Sequence, residues 1–277
     1  MNTQQPKQPM IEIRNVWKEY GHNIVLERLH KKVHQGEFIS IVGASGCGKT
    51  TFLNMLLGTE QHSRGEILLD GQPLRREPGT ERGIVFQKYS VFPHLTALDN
   101  VMIGLEFESS GLTSKLFGRN NGVQKQQARQ HAREMLAQVG LSHAENQYPH
   151  QLSGGMRQRL SIAQSLVKQP RILLLDEPFG ALDPGIRKDM HTLIRSLWQE
   201  QQLTVFMITH DLSEGFQLGS RIWVFDQPRV DPQAPERYGA QITFDIPLNK
   251  QTINQPGLLS ALNQTLQPAE PLQSGSV

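Results

Sequence analysis

Three short apolar runs limit the fold of this chain more than any other feature of its sequence. The runs are FISIV at 38–42, ILLL at 172–175 and VFMI at 205–208. Strands that are buried on both faces of a parallel sheet have this nearly continuous apolar pattern. Each run ends in polar or glycine-rich residues, and open α/β sheets bind ligands beyond the carboxyl ends of their strands. The sequence therefore predicts a mostly parallel α/β sheet with functional groups from three segments at one edge.

A phosphate-binding loop follows the first run. The residues GASGCGKTT at 43–51 lie between FISIV and the helical FLNMLLG, which is the context that the pattern G-x-x-x-x-G-K-[ST] requires. Lys49 is predicted to reach the β- and γ-phosphates of a nucleotide and Thr50 to bind Mg²⁺, with Thr51 on the α-phosphate side. We interpret Cys47 as a small residue that lends its backbone N–H, not as a nucleophile or metal ligand. The predicted nucleotide-binding residues of this loop are Gly43, Ser45, Gly46, Cys47, Gly48, Lys49, Thr50 and Thr51.

An acidic pair follows the second run, in ILLLDEP at 172–178. An acidic pair after a strand is often only a helix cap. Beside a phosphate loop it has a stronger interpretation. Asp176 is predicted to hold Mg²⁺ through water, and Glu177 is the candidate general base that polarises a water in line with the γ-phosphate.

Length and composition indicate a globular protein of moderate polarity. The chain has 277 residues, enough for one large domain or one domain with an inserted lobe. Its formal net charge of +2 argues against nucleic acid as a partner. The single cysteine rules out an intrachain disulfide and fits a reducing compartment. We expect no signal peptide, because the N-terminal MNTQQPKQPM has no apolar h-region. We expect no membrane span, because no apolar stretch reaches about 18 residues.

The predicted domain covers residues 11–248. A polar, Pro/Gln-rich start at 1–10 is expected to be disordered, and a polar tail occupies 249–277. A change toward Gln, Ala, Arg and Glu predicts an inserted helical subdomain at about 96–165, within which 108–126 has the composition of a mobile loop. Further strands are predicted at Ile11–Trp17, Gly65–Gln72, Arg221–Asp226 and Gln241–Leu248.

With these parts in place, the chain resembles the ATP-binding cassette (ABC) ATPase subunits of ABC transporters. The motifs GASGCGKTT, VFQ, LSGGM, ILLLDEP, ALD and THD occur in the order of that family over residues 10–230. The resemblance implies an α/β fold: a P-loop NTPase core with a mostly parallel sheet, an antiparallel β subdomain and an inserted α-helical subdomain. It also implies ATP and Mg²⁺ as cofactors, and an enzyme that hydrolyses ATP to drive transport.

The LSGGM motif begins a helix with two glycines, although glycine costs about 1 kcal/mol relative to alanine inside a helix. In the family that the chain resembles, two cassettes pack head to tail with two ATP molecules between them. The resemblance implies that Ser153, Gly154 and Gly155 face the γ-phosphate bound to the partner subunit. A side chain at either glycine would then stand between helix and phosphate. Without the other motifs, an ordinary glycine turn would be the simpler interpretation.

Four more residues match family positions one at a time. Gln87, in VFQ, corresponds to the glutamine that touches Mg²⁺ and the attacking water. His210, in THD, corresponds to the histidine that hydrogen-bonds the γ-phosphate, and a structural histidine is the alternative. Tyr20 corresponds to the aromatic that stacks on adenine, with a strand-surface tyrosine as the alternative. Asp183, in ALD, corresponds to the family's loop that communicates between the two subunits.

The segment EPGTERGIVFQ at 77–87 is similar to the nitrate, sulfonate and taurine importer branch. The resemblance implies a peripheral subunit at the cytoplasmic face of the inner (plasma) membrane. Its implied partners are an identical second cassette, transmembrane permease subunits and, indirectly, a periplasmic or surface solute-binding protein. Residues 91–93 suit a groove for a permease helix, with core packing as the alternative for Phe92. Two other functions stay open: a soluble ABC ATPase acting on nucleic acid or ribosomes, and a nucleotide-gated subunit without turnover.

Overall fold

The computed structural model describes residues 8–87, 90–106 and 121–248. Its strands are β1 (Ile11–Tyr20), β2 (Asn23–Val33), β3 (Phe38–Gly43), β4 (Arg64–Leu69), β5 (Gln72–Pro73), β6 (Arg82–Val85), β7 (Ile172–Asp176), β8 (Thr204–Ile208), β9 (Arg221–Asp226) and β10 (Gln241–Pro247). Its α-helices are α1 (Lys49–Leu57), α2 (Ala97–Glu106), α3 (Asn121–Gln138), α4 (Gly154–Leu166), α5 (Pro184–Gln201) and α6 (Leu212–Leu218).

The strands form two sheets. The larger sheet has the order β10-β9-β3-β8-β7-β6. All neighbouring pairs in it are parallel except β10 with β9, which is antiparallel. The smaller sheet has the order β2-β1-β4-β5 and is antiparallel throughout. The predicted fold class, a mostly parallel core sheet with an antiparallel β subdomain and a helical region, is confirmed.

The central strands are buried on both faces, as their continuous apolar runs predict. In β7, Leu173 and Leu175 pack into the cluster shared with α2 to α5, whereas Leu174 packs into the opposite cluster with α1 and the smaller sheet. Phe52 of α1 lies against the aromatic ring of Phe206 on β8. Because side chains alternate along a strand, each run fills two hydrophobic cores at once.

Three helices lie within the range for which a helical subdomain was predicted. Helices α2, α3 and α4 pack on one another through buried side chains such as Val101, Leu136 and Leu160. Helix α4 also packs on α5 and on β6, which joins this region to the core sheet. Among the described residues, no helix combines the length and apolarity needed to cross a bilayer.

Several local expectations need correction. Helix α3 already begins at Asn121, so residues 121–126 are helical and not part of a mobile loop; residues 107–120 lie outside the described residues. Met10, placed in the disordered start, is 3% exposed, and its N–H donates to the carbonyl of Val33. Strands β2 and β6 were not predicted. Residues 1–7 and 249–277 lie outside the described residues.

Candidate functional site

The loop between β3 and α1 has a backbone that only glycine adopts comfortably. Gly43, Gly46 and Gly48 have φ values of +155°, +82° and +83°. A Cβ on Gly43 would lie 2.2 Å from the carbonyl oxygen of Phe225, and one on Gly48 would lie 2.8 Å from Leu26 Cδ2. Conformation disfavours a side chain at all three positions, and lack of space also excludes one at Gly43 and Gly48. The loop leaves Ser45 and Gly46 exposed, which keeps this stretch of backbone accessible to a ligand.

Lys49, the first residue of α1, is 8% exposed. Its Nζ donates to the carbonyl oxygens of Gly43 and Ala44 at 2.8 and 2.7 Å, and lies 3.8 Å from Cys47 Sγ. The hydrogen bonds of this mostly buried ammonium go to two carbonyls and a thiol, which carry no formal charge, so an anion beside it would be stabilised. Burial raises the pKa of the Cys47 thiol despite the nearby Lys49 charge, so Cys47 does not supply that charge as a thiolate.

Asp176 and Thr50 face each other across the same edge. Thr50 Oγ1 lies 3.4 Å from Asp176 Oδ1. Burial raises the pKa of the Asp176 carboxyl above its ordinary value; the hydrogen bond from Thr50 opposes this rise and the neighbouring Glu177 carboxylate adds to it. A cation bound nearby would stabilise the charged form of this half-buried carboxylate.

Glu177 has a left-handed backbone, with φ +46°. A non-glycine residue rarely adopts this conformation, which costs of order 1–3 kcal/mol and is found most often at functional sites. Gln87 Nε2 donates to Glu177 Oε2 at 3.0 Å, and His210 Nδ1 lies 3.7 Å from the same oxygen. The three predicted catalytic residues therefore meet at one carboxylate. They come from segments up to 123 positions apart in the sequence (210 minus 87).

Strand order explains why these groups converge. Four parallel strands lie side by side in the order β3, β8, β7, β6. Strand β3 ends at the phosphate loop and β8 at Thr209–His210, whereas β7 ends at Asp176–Glu177 and β6 just before Gln87. Parallel strands bring their carboxyl ends to one edge. Among the described residues, no group of three or more His, Cys, Asp or Glu side chains could hold a metal by itself.

The residues at this edge fit a nucleotide and Mg²⁺. A phosphate would add negative charge beside the mostly buried Lys49 ammonium. Mg²⁺ in nucleotide sites is bound by one or two protein groups together with phosphate oxygens and waters. Thr50, Asp176 and Gln87 provide a hydroxyl, a carboxylate and an amide oxygen for that purpose. Burial raises the pKa of Asp176, and a cation bound at this carboxylate would oppose that rise.

Tyr20 lies at the end of β1 and is 49% exposed. Its hydroxyl is hydrogen-bonded to Glu60, and Lys18 Nζ lies 4.3 Å from the ring centroid. The ring is therefore accessible at the end of β1, and its stacking on adenine stays a prediction.

The first turn of α4 has a different local geometry from the one that the sequence suggested. Ser153 caps the helix, its Oγ accepting from Met156 N at 3.3 Å. Gly155 is buried, and a Cβ on it would lie 2.5 Å from Ile186 Cγ2 of α5. The expectation that a side chain at Gly155 would stand between helix and phosphate is therefore corrected, since it would point into the same subunit. Asp183 caps α5, accepting from Ile186 N at 3.1 Å.

A buried amide and a buried carboxylate near the site were missed by the sequence analysis. Asn100 is fully buried; it accepts from Phe92 N at 2.7 Å and donates to the carbonyl of Thr96 at 2.9 Å, which shapes the loop after Gln87. Phe92 itself is half-buried. Glu214, 6% exposed, accepts hydrogen bonds behind His210. Polar residues inside apolar helical patterns were the available signal in both cases.

Comparisons with known proteins point to one family. The family model described as ABC transporter matches residues 26–180. The chain is 42% identical over 205 residues to the taurine import ATP-binding protein TauB of Escherichia coli O157:H7, covering 74% of this chain and 75% of that protein. It is 36% identical over 262 residues to the spermidine/putrescine import ATP-binding protein PotA of Rubrobacter xylanophilus, covering 94% of this chain and 65% of that protein.

A third relative widens the range of solutes. The sulfate/thiosulfate import ATP-binding protein CysA of Bradyrhizobium diazoefficiens is 39% identical over 225 residues, covering 80% of this chain and 62% of that protein. The chain thus spans less than two thirds of the length of the PotA and CysA relatives. The three relatives have similar identities and different solutes in their names.

Solved structures match as well. A dimeric ATP-binding cassette in a post-hydrolysis state, bound to ADP and phosphate, has a TM-score of 0.68 at 30% identity, covering 87% of this chain and 99% of that chain. CbiO1 from Clostridium perfringens, part of an ABC transporter complex, has a TM-score of 0.73 at 22% identity, covering 93% and 96%. The second likeness supports the fold alone.

Proposed function

The chain belongs to the ABC transporter family, and from that premise we propose that it is the ATP-hydrolysing subunit of a solute importer. The observation that carries the proposal is the meeting of Gln87 and His210 at the carboxylate of Glu177, on the sheet edge that carries the phosphate loop. A subunit that only bound nucleotide would need the loop but not this arrangement.

Each group has a role in the proposed reaction. The loop backbone and Lys49 bind the β- and γ-phosphates, while Thr50, Asp176 and Gln87 would hold Mg²⁺, which supplies charge neutralisation on the phosphates. Glu177 accepts hydrogen bonds and takes a proton from the attacking water. His210, whose side chain is 66% exposed and lies beside Glu177, donates to the γ-phosphate as negative charge develops there.

We propose further that two copies of the chain form the complete site. The solved cassette bound to ADP and phosphate is a dimer. In this chain, Ser153 with its cap geometry and the first-turn N–H groups of Gly154 and Gly155 offer an anion site on α4. The head-to-tail arrangement implied by the family would bring that site to the nucleotide of the other subunit. Tyr20 would stack on the adenine, and Asp183 would lie at the contact between subunits.

The proposed partners and location follow from the importer relatives. Permease subunits would dock on the segment after Gln87, where Val91 packs partly against the core and Pro93 is exposed. The chain would act at the cytoplasmic face of the membrane. Its solute would be a small nitrogen or sulfur compound, and the taurine-type branch is the finer proposal because of the segment at 77–87.

Replacing Glu177 with glutamine tests the proposal. Glu177→Gln should keep ATP binding, lower the turnover of ATP by about 10²–10⁴-fold, and elute as a dimer when ATP and Mg²⁺ are present. Glu200→Gln, which changes an exposed glutamate near the end of α5, is the matched control. Near-normal hydrolysis by Glu177→Gln would rule out the assignment of the base.

A co-purification experiment tests the importer role. The full chain, isolated from membranes with a mild detergent, should bring down integral membrane proteins. Recovery of nucleic acid or ribosomal particles in their place would favour the soluble ABC ATPase. If neither membrane proteins nor nucleic acid or ribosomal particles are recovered, and the chain does not turn over ATP, a nucleotide-gated subunit would be favoured.

A further inference from the structure

A hydrogen-bonded group of buried side chains lies directly behind His210. Thr209, 1% exposed, donates through its hydroxyl to Glu214 Oε2 at 2.5 Å, and the same hydroxyl accepts from the N–H of Asp211 at 3.0 Å. Thr209 and Asp211 are the two chain neighbours of His210. A single hydroxyl therefore ties the main chain on both sides of the exposed His210 ring.

Glu214 connects this hydroxyl to α5. Its Oε1 accepts from His191 Nε2 at 2.8 Å, and its side chain is 6% exposed. The carboxylate is thus held between α6, which carries it, and α5, which carries His191. The carbonyl of the adjacent Gly215 accepts from Ser40 Oγ at 3.1 Å, which fixes α6 on the core strand β3.

His191 also touches the segment that carries the base. Its ring packs edge-on against Phe179, with centroids 5.1 Å apart, and Phe179 is two residues beyond Glu177. His191 therefore contacts the Glu177 segment on one side and, through Glu214, the His210 segment on the other. A small recess lined by Glu177, Phe179, His210 and Glu214 lies between these two segments.

We propose that His191 and Glu214 are positioning residues for ATP hydrolysis, which act through Thr209 to hold His210 at its place beside Glu177. This inference rests on the proposed function. A buried carboxylate network is a poor source of stability, because apolar side chains of similar volume stabilise a core as well or better. The network fixes the geometry of groups whose misplacement by about 1 Å can cost 10²-fold in rate.

The kinetic test compares variants that remove or restore one hydrogen bond. Thr209→Val and His191→Leu should lower kcat by about 10- to 100-fold while the dissociation constant of ATP changes by less than about threefold. Thr209→Ser keeps the hydroxyl and should recover most of kcat. Because the residues act as a unit, the double variant should be no slower than the worse single variant.

The matched control is His131→Leu. His131 is also a partly buried histidine whose Nε2 contacts a single acceptor, the carbonyl of Val167 at 2.9 Å, far along the chain from the site. His131→Leu should lower the melting temperature without lowering kcat. The proposal is overturned if Thr209→Val and His191→Leu keep their kcat, or if their losses multiply in the double variant.

A second readout does not depend on activity. The NMR signal of the His210 ring Hε1 proton is assigned by its loss in His210→Asn. In the chain without nucleotide, this signal should shift or broaden in Thr209→Val and in His191→Leu. It should return to its wild-type position and width in Thr209→Ser. An unchanged signal in both variants overturns the positioning role. A wild-type chain without ATP turnover would instead refute the proposed function, and the NMR signal would still decide the positioning role.

Discussion

Gly155 offers a sharp test of why the LSGGM motif needs its second glycine. A Cβ at this position would lie 2.5 Å from Ile186 Cγ2, whereas carbon atoms in contact are about 3.5–4.0 Å apart. Gly155→Ala therefore requires the Ile186 side chain, or α5 as a whole, to shift by about 1 Å relative to α4. Overpacking of this kind costs about 1–3 kcal/mol, and alanine regains up to about 1 kcal/mol of helix propensity.

The expected net effect is a loss of about 1–2 kcal/mol of unfolding free energy, or a melting temperature lower by about 2–8 °C. The double variant Gly155→Ala with Ile186→Ala removes the clash and should recover both the melting temperature of the Ile186→Ala control and its rate of ATP hydrolysis. Calorimetry and a phosphate-release assay measure the two quantities.

One result would refute this reasoning. If the double variant melts like Ile186→Ala but hydrolyses no ATP, the added carbon atom obstructs the nucleotide and not α5. The glycine would then serve close approach to a phosphate, as the sequence alone suggested.

Three further outcomes follow from the charges in the structure. Lys49→Ala should weaken ATP binding by about 10-fold or more, since hydrogen bonds from charged groups contribute about 1.5–3 kcal/mol; unchanged affinity in a fluorescent-nucleotide titration would contradict the phosphate-loop assignment. Because burial raises the pKa of Asp176, the charged form is destabilising at neutral pH. Asp176→Asn should raise the melting temperature of the ligand-free chain at pH 7, and this gain should vanish as the pH falls to about 4. Although burial acts to raise it, hydrogen bonds from Arg221 hold the pKa of Asp245 low. Asp245→Asn should therefore lower the melting temperature at neutral pH, with a difference from wild type that shrinks only in strong acid.

The local parts of the site could be predicted because their signals lie within a few residues. The glycine spacing of the phosphate loop specifies a backbone with positive φ, and the structure has that backbone at Gly43, Gly46 and Gly48. An Asp-Gly pair is typical of a tight turn, and Asp70 and Gly71 both have positive φ between β4 and β5. The missed strand β2 has charged residues and a left-handed Arg28 that interrupt its alternation.

The sequence by itself determined which segments are strands buried on both faces, where a phosphate can be bound and which side chains are candidates for chemistry. Only the tertiary structure decided that Gln87 and His210 meet at Glu177, that the Cβ direction of Gly155 points to Ile186, and that a carboxylate is buried behind Thr209. The reason is physical. Backbone conformation and periodicity depend on neighbouring residues, whereas contacts between distant segments depend on the order in which strands pair and on the space left between packed helices.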